Sequence, residues 1–141
     1  MKAKYIIRKC LISSIIVFIL IPSSKAQEGL TKFATKIVKD TIKGNELITP
    51  KLELFIESKF ENEPVKIVQS NNVIFNKKVQ TDNMTDYGTS FNIERILGPL
   101  QIIFRGEKVI IDDYHNYNYI RIRYFHNTLT VILTNRKPVF K

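Results

Sequence analysis

Along residues 51–134 the hydrophobic positions alternate with polar ones or gather into short runs, and both patterns read as strands. Residues 51–58 put Leu52, Leu54 and Ile56 on one side, and Lys51, Glu53, Phe55 and Glu57 on the other. A period of two places each set on its own face of a β-strand, and Pro50 marks the approach. Short apolar runs follow at residues 65–68, 73–79, 91–93, 100–104 and 109–111, divided by turn-rich stretches such as Asn71-Asn72 and Gly98-Pro99. Strands at this spacing predict a small sandwich or barrel.

The C-terminal stretch, residues 119–134, specifies its own pairing. With His126-Asn127 as a two-residue turn, Tyr124 faces Leu129, Ile122 faces Val131 and Ile120 faces Leu133 on one apolar surface. Arg123 with Thr130, Arg121 with Ile132 and Tyr119 with Thr134 then share the opposite face. A slip of one residue would send the apolar set into solvent, so the pattern permits one register. Asn tolerates the positive φ that such turns need. A second hairpin is predicted at Gly106-Glu107, with Gly at the first central position of a type II′ turn joining residues 100–105 to 108–111.

Residues 30–43 follow a different rule. Leu30, Phe33, Ala34, Ile37, Val38, Thr41 and Ile42 recur at spacings of three and four among Lys32, Lys36, Lys39 and Lys43, with Gly44 and Asn45 beyond them. This predicts an amphipathic helix from Leu30 to Lys43 that ends at the glycine. About 14 residues are marginal as a free helix, so the stripe must dock. Docking on the sheet, with Leu30, Phe33, Ile37 and Val38 buried, is preferred to an anionic membrane surface, because Trp is absent and the lysine excess is moderate.

The first 26 residues read as an export signal. Lys2, Lys4, Arg8 and Lys9 precede an apolar run over residues 10–22, and Ser24-Lys25-Ala26 places small residues where a signal peptidase inspects, predicting cleavage before Gln27. The apolar stretch 11–21 is shorter than the roughly 20 residues that span a bilayer. Cleavage changes the charge. It removes five of the 22 basic residues and none of the 13 acidic ones, so the net charge falls from +9 to +4. With no compact basic run, nucleic acid is excluded as a partner. The single cysteine, Cys10, lies inside the signal, so the remaining 115 residues hold no disulfide. This suits a bacterial envelope better than a eukaryotic secretory route. One domain fits that length, without repeats or low-complexity segments. The expected organisation is a signal peptide over 1–26, an amphipathic helix segment over 27–46 and a β-sandwich domain over 47–141. The fold class is mainly β: a small antiparallel β-sandwich of about seven to eight short strands preceded by that helix.

Little catalytic chemistry is on offer. Ser58, Ser70 and Ser90 sit outside any nucleophile elbow, and neither a glycine-rich phosphate loop nor a zinc-binding His-Glu-x-x-His helix is present. Asp112, Asp113 and His115 are the only acid-plus-imidazole cluster, and a small hydrolase built on Asp113 and His115 is the alternative they allow. His126 lies at the far end of the strand that follows, roughly 20 Å away at about 3.3 Å per residue. Asp at strand ends commonly caps turns. The expectation is therefore no enzyme, no metal and no cofactor. The remaining signal is the concentration of Tyr114, Tyr117, Tyr119, Arg121, Arg123 and Tyr124. Tyr and Arg are enriched at binding surfaces, because each joins a large contact area to a hydrogen-bonding end. By parity Tyr117, Tyr119, Arg121 and Arg123 share the face turned away from the apolar side. These four are the candidate binding residues of an exported, non-catalytic module, with a protein or glycan partner in the envelope or outside the cell. A structural or assembly subunit pairing through its edge strands is the other alternative.

Overall fold

The structure, a computed structural model, describes residues 32–40 and 47–140. Nine strands are found among them: β1 (Ala34–Lys39), β2 (Lys51–Glu57), β3 (Glu61–Gln69), β4 (Asn72–Gln80), β5 (Tyr87–Glu94), β6 (Leu100–Phe104), β7 (Glu107–Ile111), β8 (Tyr119–Phe125) and β9 (Thr128–Thr134). One 3₁₀ turn, Tyr114–Asn116, precedes β8. The first sheet has the order β1-β9-β8-β2-β5 and the second the order β4-β3-β6-β7. All pairs are antiparallel except β1 with β9 and β2 with β8.

The alternation of the sequence becomes the layering of the molecule. Leu52, Leu54 and Ile56 of β2, Ile120 and Ile122 of β8, and Leu129, Val131 and Leu133 of β9 are fully buried against Val65, Ile67, Leu100, Ile102 and Phe104 of the second sheet. Each such aliphatic side chain contributes about 1.5–3 kcal/mol when it leaves water. The predicted register of β8 with β9 is the one observed, from Tyr119 opposite Thr134 to Phe125 opposite Thr128. His126 and Asn127 both have positive φ, 46° and 56°, as a tight turn of matching twist requires.

The β6–β7 hairpin differs from expectation by one residue. Phe104 pairs with Glu107, so the central residues are Arg105 and Gly106, with φ of 48° and 79°. Glycine supplies the second left-handed position, not the first. Arg105 tolerates the first because its side chain is anchored: Nε donates to Glu63 Oε1 at 2.6 Å and Nη1 to Tyr124 Oη at 2.6 Å.

The helix expected over residues 30–43 is corrected by β1. Ala34–Lys39 runs parallel to β9, Ala34 opposite Thr128 and Lys39 opposite Leu133; residues 30–31 and 41–43 lie outside the described residues, as do 1–29. Residues 34–39 therefore form an edge strand of the first sheet and not a helix. The unpaired edge of β9, together with β-branched Thr35, Ile37 and Val38, outweighs a helical spacing. Phe33, just before the strand, is buried among Phe104 and Tyr124 at centroid distances of 5.4 and 6.1 Å. Ile37, however, is 41% exposed and Val38 only half-buried, so the stripe is not covered as a unit.

At one end of the sandwich, the buried polar side chains Gln69, Tyr114 and Asn118 are paired. Gln69 Nε2 donates to Tyr114 Oη at 2.9 Å and to Glu94 O at 2.6 Å, and Tyr114 Oη donates to Ile96 O at 2.8 Å. Asn118 Oδ1 accepts from Thr49 N and Arg95 Nη2. Partial burial there holds the Arg95 guanidinium below its ordinary pKa.

Candidate functional site

The residues of β8 that face away from the core meet β2, and this pairing builds the site. The parallel register sets Tyr119 beside Glu53, Arg121 beside Phe55 and Arg123 beside Glu57. Glu57 is the unexpected member. Its side chain is only 3% exposed, a carboxylate enclosed on the outer side of a sheet. Arg121 satisfies it from both ends of the fork, Nε donating to Oε1 at 2.5 Å and Nη2 to Oε2 at 3.1 Å. Two-point guanidinium–carboxylate pairs are strong and directional, which is how a buried charge is tolerated here. Arg123 stands further off. Its Nε lies 4.0 Å from Glu57 Oε1 and donates to Ser58 Oγ at 3.3 Å.

An aromatic patch adjoins these charges. Phe55, on the charged side of the β2 alternation, is buried because Tyr119 and Phe140 flank it at 6.3 and 5.6 Å. Phe140 also meets Tyr87 at 5.0 Å, so the C-terminal segment packs on this face. A β-bulge between Ile56 and Glu57 carries Gly88 opposite, where a Cβ would come within 2.8 Å of Ile56 O. Only glycine fits so close to the neighbouring backbone, and the bulge turns Tyr87 toward Phe140.

Beyond Arg123 the face opens into a hollow of about 330 Å³. At its rim Ser58, Lys59 and Asp86 all adopt left-handed backbone, with φ of 65°, 47° and 55°. Ser58 N donates to Asp86 O at 2.7 Å, locking the two loops together. Left-handed non-glycine residues are costly and persist only where their surroundings fix them.

Of the four candidate binding residues, Tyr119, Arg121 and Arg123 share this half-buried face as expected. Tyr117 does not. It is buried in the core, because the 3₁₀ turn Tyr114–Asn116 ends immediately before it and the alternation of β8 starts only at Tyr119. Tyr114 is likewise fully buried. What the sequence reading missed was Glu57 and Phe55. The available signal was a phenylalanine between two acids on the charged side of β2.

The other candidate cluster is drawn apart. Asp113 Oδ2 accepts from Lys39 Nζ at 2.6 Å, and this hydrogen bond raises the lysine pKa. His115 follows in the 3₁₀ turn, while His126 occupies the β8–β9 turn at the far end of β8. Among the described residues no group of three or more His, Cys, Asp or Glu side chains is placed to hold a metal ion.

Comparison of the chain with protein-family models, with curated proteins and with solved structures finds no match.

Proposed function

We propose that this chain is an exported, non-catalytic binding module of the cell envelope, in which Tyr119, Arg121 and Arg123 recognise a protein or glycan partner. The observation that carries the reading is the pairing of Glu57 with Arg121: a buried carboxylate holds one guanidinium in place and leaves Arg123 beside it with donors to offer. Arg121, held in this way beside Tyr119 and Phe55, loses little side-chain freedom on binding, and arginine and tyrosine dominate interface energetics.

The alternatives receive less support. Edge pairing is opposed on three of the four edge strands by lysines, Lys36 and Lys39 on β1, Lys77 and Lys78 on β4, and Lys108 on β7. A hydrolase built on Asp113 and His115 gains no second imidazole, since His126 lies at the far end of β8, and Asp113 is paired at the surface with Lys39.

The test compares wild-type protein with Tyr119→Ala and Arg123→Ala as baits for partners in an envelope extract. The reading expects both variants to fold with near-wild-type melting temperatures and to lose capture. Full capture by both rejects it. Export is checked separately by intact mass, which should correspond to a chain starting at Gln27; a retained segment 1–26 contradicts cleavage.

A further inference from the structure

We propose that the hollow beside Arg123 is a carboxylate pocket, taking a carboxylate on a short aliphatic stem, whether from a free organic acid or from the C-terminal residue of a partner chain. The inference rests on the binding role of the outer face and names the chemistry recognised at one end of it.

Charge is the first argument. Arg121 is engaged by both oxygens of Glu57. Arg123 is different: its side chain is 42% exposed, and none of the hydrogen bonds among the described residues uses its Nη groups. Lys59 stands on the rim, 3.6 Å from Asp86, with both side chains open to water, and exposed Lys36 is in register with Thr130 on the same face. Such an exposed pair is screened and readily exchanged for another anion. Cations therefore outnumber carboxylates around the hollow.

Shape is the second. Phe125, half-exposed at the end of β8, and Ile132 of β9 line the hollow with apolar surface, and Thr130 between them adds a hydroxyl. A planar carboxylate matches the open fork of a guanidinium. An aliphatic stem of a few carbons covers Phe125 and Ile132. A bare inorganic anion would leave that surface wet.

The experiment is an NMR titration of the isotope-labelled full chain at constant ionic strength, with hexanoate, hexanol, sodium phosphate, acetyl-leucine and acetyl-leucinamide as probes. Hexanoate or acetyl-leucine should move the Ser58, Lys59 and Thr130 amides and the Arg123 Nε–H signal saturably, and the uncharged analogues should bind at least about tenfold more weakly. Tighter binding of acetyl-leucine assigns the pocket to a chain terminus, and tighter binding of hexanoate to a free acid. Arg123→Gln should abolish the carboxylate preference while leaving the spectrum otherwise native; Thr130→Val should weaken binding without removing the preference. Equal binding of hexanoate and hexanol, phosphate binding as tight as hexanoate, or a preference that survives Arg123→Gln overturns the pocket. Arg123→Gln also separates the two claims. Lost partner capture without carboxylate shifts in the wild type rejects the pocket and keeps the binding face, whereas carboxylate shifts with unchanged capture keep the pocket and reject the face as the partner surface.

Discussion

The two faces of β8 obey different physics. Inward, Ile120 and Ile122 are fully buried and Tyr124 is nearly so, held by contact with aliphatic and aromatic side chains from both sheets. Outward, Tyr119, Arg121 and Arg123 are half-buried; a carboxylate on the neighbouring strand orders Arg121, while Arg123 stands 4.0 Å from it and donates to Ser58. At Ile120 and Ile122 the inner face needs only volume and apolarity from its neighbours. The outer face needs one particular residue, Glu57. A substitution inside therefore costs stability in proportion to the volume removed, whereas one outside costs according to which charge is left alone.

The largest effect should come from the inner face. Ile122→Ala removes packing at a fully buried site and should lower stability by about 2–5 kcal/mol, measured by chemical denaturation. Arg121→Ala comes next. It leaves Glu57 enclosed without its main partner, and with Arg123 still at 4.0 Å the loss should be about 1–3 kcal/mol. Adding Glu57→Gln should recover part of that loss, and additivity of the two substitutions would show that the pair is not coupled. Arg123→Ala, at a partly exposed site, should stay within about 1 kcal/mol of wild type while weakening partner capture. The smallest effect concerns the loop bordering the outer face. Asp82 Oδ1 accepts the amides of Met84 and Thr85, and those hydrogen bonds hold its carboxyl below the ordinary value of 3.8. A depressed carboxyl stabilises the folded state above that ordinary value and ceases to do so as pH falls through the lower, folded one. The protection factors of the Met84 and Thr85 amides should therefore fall in that acid range, and Asp82→Ala should remove that fall.

The same contrast explains what could be read in advance. The β8–β9 hairpin was legible to the residue because its alternation is strict and its turn is local. β1 was not. Phe33 and Ile37, four apart, share a face in a helix and in a strand alike, so the spacing does not discriminate, and the strand that decides the matter begins 94 residues from Ala34. At the site, alternation placed Tyr119, Arg121 and Arg123 together but failed for Tyr117, where a 3₁₀ turn interrupts the period. Glu57 lay beyond reach because the parallel pairing of β2 with β8 joins residues 66 positions apart, and no local pattern encodes that neighbour.

The central claim is that partners meet the outer face of the first sheet. It is tested most directly by photo-crosslinking from two positions. A photoreactive phenylalanine replaces Tyr119 on that face in one variant, and in another it replaces Ile110, half-exposed on β7 of the second sheet. The account predicts crosslinked partner from position 119 and none from position 110. Crosslinking from position 110 alone, or equally from both, would contradict it.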